Sequence, residues 1–262
     1  MFAESGPLTW ELADSEQADL RIITGFTPRW FREEMGLDYR ERWHTDVEYR
    51  RESFVSMRKT LNKRFPTLNL GGDDPDQVPG TVSIAFGTPL LAGIFGLELH
   101  YMADNWLANA VTTCTDEQAA AMEVPVLEDS PVFQDLMRQM DEIEQGYGQI
   151  EGVLDFDGAL NTAFRVRGQD IFVDMITDKD RAYHVLNVAT ESILKLVDAV
   201  HARQIASGVE RNFFVTSNCV VNMLSGEHYE EFVLPCDQRL GEHFDHFGVH
   251  NCAWDASSYL DG

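Results

Sequence analysis

The chain has 262 residues, with 20 Lys+Arg against 44 Asp+Glu and a formal net charge of −24 at pH 7. A hydrophobic content of 44% excludes a disordered chain. The negative charge argues against binding of nucleic acid or of an anionic membrane, because phosphate groups would be repelled. Four Cys are too few for a disulfide scaffold. Since no targeting segment or apolar stretch of about 20 residues is present, we expect a cytoplasmic protein.

Residues 1–80 have the pattern of a helical N-terminal segment. Thr27 and Pro28 are typical of a helix start, and Gly36 of its end. Asp46 is expected to begin a longer helix that reaches about Phe65. Three Gly, two Pro and three Asp predict a loop over residues 71–80.

From residue 81 the pattern changes to strands that alternate with helices. Such alternation predicts βαβ units and a parallel sheet. We therefore expect residues 81–262 to form a TIM-like (β/α) barrel within one α/β structural domain. A closed barrel has eight strands, so the barrel is expected to be incomplete at its C-terminus. The five predicted strands cover residues 81–86, 97–101, 151–156, 212–217 and 247–251.

The tripeptide His250-Asn251-Cys252 stands at the end of the fifth predicted strand. Residues two apart in a strand point to the same side, so the imidazole and the thiolate are directed at a common point. This donor pair suits Zn²⁺, although a catalytic zinc site takes three protein ligands. Taken alone, the tripeptide leaves ordinary packing at a strand end as the alternative.

Other features stand in a characteristic order around this tripeptide. LSGEHY (residues 224–229) and FVLP (residues 232–235) precede the strand that ends in His-x-Cys, and GVLD (residues 152–155) precedes a helix with NTAF (residues 161–164). Over residues 80–262 this order resembles the uroporphyrinogen decarboxylase superfamily, which includes the cobalamin- and coenzyme M-dependent methyltransferases. The resemblance implies a pocket at the C-terminal ends of the barrel strands.

In the methyltransferase branch, a His-x-Cys pair and a later Cys bind zinc, which lowers the pKa of a thiol acceptor. The acceptor then takes a methyl group from a methylated corrinoid protein. His250 and Cys252 match the first two ligands, and the third is expected beyond Gly262. We therefore expect a zinc-dependent methyltransferase with a corrinoid protein as partner and a small thiol as substrate.

Two departures from the family pattern keep alternatives open. The arginine motif of the decarboxylase branch is absent from residues 25–32, and Ala253 replaces the usual Gly after the Cys. The alternatives are a decarboxylase of a tetrapyrrole or another carboxylated substrate, and a non-catalytic truncated member of the family.

Further candidate residues follow the predicted strands, where parallel α/β folds keep their sites. Asp155 and Asp157 could both face the pocket, although Asp157 could instead cap the next helix. Asp104 and Trp106 are candidates for substrate binding, with a plain turn as the alternative. Cys219 is a remote substitute for the third metal ligand, with a small buried residue as the alternative.

Overall fold

The computed structural model describes residues 26–110, 114–211 and 213–250. These residues form a mixed α/β structure, which confirms the predicted class. The α-helices are α1 (Pro28–Met35), α2 (Glu41–Thr45), α3 (Val47–Arg64), α4 (Leu90–Ile94), α5 (Asp116–Ala120), α6 (Pro131–Tyr147), α7 (Ala159–Arg167), α8 (Asp170–Thr177), α9 (Lys179–Ala206), α10 (Gly226–His228) and α11 (Leu234–His243). The strands are β1 (Leu99–His100), β2 (Ala108–Asn109), β3 (Phe156–Asp157), β4 (Phe213–Ser217) and β5 (His246–His250).

Strands β3, β4 and β5 form a parallel sheet in that order. Long helices connect consecutive strands, as βαβ units require. The last three predicted strands are therefore confirmed as neighbours in a parallel sheet, although β3 is shorter than expected. Among the residues that the structure describes, the sheet does not close into a barrel.

The second predicted strand, over residues 97–101, is outside the parallel sheet. Its central residues form β1, which pairs with β2 in an antiparallel hairpin, with Leu99 opposite Asn109. The prediction of a parallel strand here was wrong, because only a short loop separates the two segments. A short connection returns the chain antiparallel, whereas a parallel crossover takes a dozen or more residues.

The first predicted strand, over residues 81–86, is reduced to one parallel bridge between Thr81 and Glu151. The chain then turns, with positive φ at Ile84 and Phe86 (59° and 60°). The turn sends the Ile84 side chain into the cluster formed by the N-terminal helices and the Phe86 side chain into the main core. Burial on two sides therefore overrides the strand preference of this apolar segment.

Local capping signals placed several helices correctly. Thr27 accepts a hydrogen bond from the Trp30 amide, and α1 ends at Gly36 in the left-handed conformation. Asp46 caps α3 in the same way, through the Tyr49 amide at 2.8 Å. Ser225 caps α10, and a π-helical turn, Tyr229–Val233, separates α10 from α11. The following Pro235 has no N–H to continue a regular α-helical ladder.

A buried arginine joins the N-terminal helices to the rest of the molecule. The Arg50 side chain is inaccessible to solvent and donates hydrogen bonds to the Thr81 carbonyl (3.1 Å), the His44 carbonyl (3.1 Å) and Gln139 Oε1 (2.8 Å). Because these acceptors are neutral, burial lowers the pKa of Arg50 to about 10. Within the described ranges, none of the helices combines the length and the apolar character needed to cross a bilayer.

Candidate functional site

The C-terminal ends of β3, β4 and β5 meet at one edge of the parallel sheet. Asp157 lies beside Ser217, and Ser217 lies beside His250 in the strand register. Residues in register on neighbouring strands point to the same side of a sheet. The three side chains therefore share one face, which we call the site face.

The opposite face of the sheet packs against helices. Phe156 and Phe214 are buried with their ring centroids 5.2 Å apart, and Phe214 also contacts Phe244, at 4.7 Å. Asp155 directly precedes β3 and is exposed, and His250 is exposed at the end of β5.

A buried ion pair stands at one end of the site face. Asp157 is 2% exposed and accepts hydrogen bonds from Arg165 Nε and from Asn161 Nδ2, the latter at 3.1 Å. Arg165 also donates to Asn109 Oδ1 at 2.6 Å and to Thr88 Oγ1 at 3.0 Å. Burial raises the pKa of the Asp157 carboxyl, against the opposing effect of the Arg165 guanidinium.

Asp155 has no arginine or lysine partner among the described residues, and none of them donates a hydrogen bond to its carboxylate. Desolvation raises the pKa of Asp155, and the Asp157 charge adds to this effect. The N-terminal amino group of the chain and His250 both act in the opposite direction, because a positive charge favours the carboxylate.

A second polar group, Asn218, connects the site edge with α11. Its backbone N–H donates to the His250 carbonyl at 3.0 Å, and its side-chain Nδ2 donates to Asp237 Oδ1 at 3.2 Å. Gly158 lies so close that an added Cβ would stand 2.9 Å from Asn218 Cγ. Sequence reasoning missed Asn218 and Asp237. The position of Asn218 directly after a predicted strand was the available signal.

Burial and hydrogen bonding have opposite effects on the pKa of Asp237. Desolvation raises its pKa to about 6, although Tyr229 and Asn218 both donate hydrogen bonds that favour the carboxylate. Asp237 thus belongs to a buried network behind the site edge, and it supports the backbone at the end of β5 through Asn218.

The remaining predicted site residues have varied surroundings. Asp104 forms an ion pair with Arg29 on α1, at 3.6 Å, and Trp106 is partly exposed in the loop between β1 and β2. Cys219 begins a 3₁₀ turn, Cys219–Met223, directly after Asn218, and it is partly exposed. Cys252 lies outside the described residues.

The described part of the chain contains no cluster of three or more His, Cys, Asp or Glu side chains arranged to hold a metal ion. His250 nevertheless presents an exposed imidazole at the end of β5. The other histidines near this strand are at its opposite end. His243 contacts Asp198 at 2.8 Å, and His246 begins the strand.

Comparison with known proteins gives a structural likeness without a sequence match. No family model and no curated protein matches the chain. A solved structure, a methyltransferase from Methanosarcina mazei, is similar with a TM-score of 0.60 and 13% sequence identity. The match covers 86% of this chain and 61% of that one. The chain therefore has a fold found in a methyltransferase and spans about three-fifths of the length of that protein.

Proposed function

We propose that the chain contributes the core of a methyl-transfer enzyme that acts on a small thiol. The observation that carries the proposal is His250, exposed at the end of β5 and in register, through Ser217, with Asp157. In parallel α/β folds, ligands bind at the C-terminal ends of the strands. The likeness to a methyltransferase in fold supports methyl transfer as the reaction.

The residue types at the end of β5 fit a zinc ion. An exposed imidazole followed two positions later by a thiol supplies two of the donor types that Zn²⁺ prefers. His250 and Cys252 would hold the metal, and Cys219 is a further sulfur donor near this edge. When bound, zinc would act as a Lewis acid that lowers the pKa of an acceptor thiol.

We propose a methylated corrinoid protein as the methyl donor. The acceptor thiol loses its proton to solvent, and its sulfur attacks the methyl carbon. A sulfur–carbon bond forms while the cobalt–carbon bond breaks, and the electron pair of that bond stays on cobalt. The chain's own residues would orient the acceptor on the site face.

A decarboxylase of a polycarboxylated substrate has less support. Such substrates need cationic partners, preferably arginine forks. Arg165 is the arginine that the described contacts bring to this edge, and its donors are already directed at Asp157, Asn109 and Thr88.

Metal binding tests the proposed site in the full chain. We expect purified protein to retain about one zinc ion per chain, and to lose it in His250→Gln and in Cys252→Ser. His246→Gln is the matched control, because His246 begins the same strand at its other end. Equal zinc in all four proteins, or none in any, would contradict the metal site. Transfer from methylcobalamin to a thiol, followed by cobalamin absorbance, then tests the reaction.

A further inference from the structure

A carboxyl group is enclosed behind the C-terminal edge of the parallel sheet, with no cation beside it among the residues that the structure describes. Asp237 on α11 is 6% exposed. Its two oxygens accept hydrogen bonds from Asn218 Nδ2, at 3.2 and 3.3 Å, and from the Tyr229 hydroxyl, at 3.2 Å. Neutral donors offset only part of the cost of removing a carboxylate from water. An ionised Asp237 is therefore held within the fold at a cost in free energy.

The charged side chains on the elements around Asp237 have partners of their own. These pairs are Arg239 with Glu191, His243 with Asp198, and Lys179 with Glu231. Burial raises the pKa of the Asp237 carboxyl to about 6 against its two hydrogen bonds, and no charge within the described ranges adds to either effect.

Titratable groups next to Asp237 and on β5 do not supply a cation either. Tyr229 and Cys236 border the carboxyl, and burial raises their pKa values to about 12 and about 11, so both stay neutral at pH 7. Neither His246 nor His250 on β5 changes the pKa of Asp237. The carboxyl itself is therefore the group of this network that changes its charge near neutral pH.

Asn218 connects this carboxyl with the strand end that carries His250. Its Nδ2 faces Asp237, and its Oδ1 accepts a hydrogen bond from the Asn161 amide of α7 at 3.4 Å. The backbone N–H of the same residue donates to the His250 carbonyl at 3.0 Å. Because one residue makes all three contacts, displacement of its side chain also loosens the backbone pairing at the end of β5.

We infer that Asp237 is a positioning residue whose ionisation controls how firmly the end of β5 is held. With a neutral carboxyl, the network is closed and Asn218 stays paired with the His250 carbonyl. An ionised carboxyl gains hydration when the network opens, so a rise in pH favours the opened state, in which water reaches the charge. Any consequence for a ligand on His250 rests on the proposed function, whereas the opening does not.

Hydrogen exchange of the Asn218 amide measures this opening in the full, metal-free chain. A carboxyl with a pKa of about 6 in the closed state and about 4 in the opened state makes opening about tenfold more frequent at pH 7 than at pH 5. We expect the protection factor of this amide, corrected for the intrinsic pH dependence of exchange, to fall about tenfold over that range. A constant or rising protection factor would overturn the inference.

Matched variants connect the pH dependence to one side chain. Asp237→Asn cannot ionise, and its remaining oxygen still accepts from Asn218. Its protection factor should be independent of pH and at least as high as that of the unaltered protein at pH 5. Asp245→Asn changes the net charge equally at an exposed position directly before β5 and should keep the tenfold dependence. A pH dependence that persists in Asp237→Asn, or is lost in Asp245→Asn, would contradict the assignment.

A second variant tests the inference if Asp237→Asn does not fold. Tyr229→Phe removes a hydrogen bond that favours the ionised carboxyl. The midpoint of the pH dependence should therefore move upward by about half a pH unit or more. A midpoint that stays in place or moves downward would show that another group titrates.

Zinc analysis of the same proteins separates this inference from the proposed function. If the chain holds no zinc but the Asn218 protection factor follows the ionisation of Asp237, the proposed function fails and the positioning role stands. If zinc binds and the protection factor has no such pH dependence, the positioning role fails alone.

Discussion

Two groups of charged side chains in this molecule are built in contrasting ways. Between α7, α8 and α9, the nearly inaccessible Asp174 accepts hydrogen bonds from Arg167 Nε at 2.8 Å and from Arg181 Nη2 at 2.7 Å. Each charge there has a partner on another helix. On the site face, Asp157 has such a partner in Arg165, whereas Asp155 has none among the described residues.

The difference separates a carboxylate held between two arginines from a carboxylate whose pKa is set mainly by desolvation. The pKa of Asp174 lies below its ordinary value: burial acts to raise it, but hydrogen bonds from Arg167 and Arg181 outweigh that effect. The pKa of Asp155 is raised by desolvation. Removing one partner from a buried charge network is strongly destabilising, whereas a carboxyl whose pKa is raised by desolvation opposes folding above that pKa.

Replacement of Asp174 by Asn should give the largest effect in a series of identical Asp→Asn changes. The change removes the nearly buried carboxylate between the two arginines, which keep the more exposed carboxylates of Asp116 and Asp178. We expect the free energy of unfolding to fall by about 3–5 kcal/mol. Urea unfolding followed by circular dichroism at neutral pH measures this loss.

Asp170→Asn is the control for Asp174→Asn. Asp170 is 57% exposed and stands 3.8 Å from the same Arg167. Its loss should cost less than about 1 kcal/mol, because water screens an exposed pair. Equal losses of unfolding free energy in Asp170→Asn and Asp174→Asn would show that burial does not determine how strongly these ion pairs stabilise the fold.

Asp157→Asn should have an intermediate effect. The Asn side chain still accepts hydrogen bonds, and Arg165 keeps Asn109 and Thr88, but the charge-assisted bond is lost. We expect the free energy of unfolding to fall by about 1–3 kcal/mol. Thermal and urea unfolding of the purified variant measure the change. A loss as large as that of Asp174→Asn would place Asp157 with the fold-holding charges.

Sequence reasoning succeeded where local chemistry decides the structure. Thr27 and Asp46 each cap a helix at the predicted residue, because a side-chain oxygen accepts a hydrogen bond from a free amide group within the first turn. Ser130 caps α6 in the same way, and Thr115 forms a capping box with Gln118. These signals need no information from distant parts of the chain.

The strand predictions were wrong where contacts with distant parts of the chain decide the local structure. Ile84 and Phe86 have strand-forming side chains, yet both adopt positive φ because separate cores take their side chains. Nothing in the sequence of residues 81–86 indicates that two separate cores take these side chains. Residues 97–101 resemble a parallel strand in composition, and only the pairing of Leu99 with Asn109 shows a hairpin.

Sequence reasoning proposed residues near the strand ends but did not give their partners. The alternation of side chains in a strand predicts Asp155 and Asp157 on one face, and the structure has Asp157 in β3 with Asp155 directly before it. The pairing of Asp157 with Arg165 was not foreseen, since eight positions in sequence separate them and the helix direction decides whether they meet. Asn218 was also missed, because its hydrogen bonds to three separate elements depend on how β4 meets α7, α11 and β5.

Asp155→Asn should give the smallest effect on stability, with the opposite sign. A carboxyl whose pKa is raised in the folded state opposes folding at pH values above that pKa. Removing it should leave the free energy of unfolding at pH 7 unchanged or raise it by up to about 1 kcal/mol, since the group is exposed. Below the pKa of Asp in the unfolded chain, near 4, the carboxyl is neutral in both states and the difference should vanish. Urea unfolding of the variant and the unaltered protein at the two pH values measures it. A loss of stability at pH 7 would mean that the opposing charges near Asp155 outweigh its desolvation, and that Asp155 is a structural charge like Asp174.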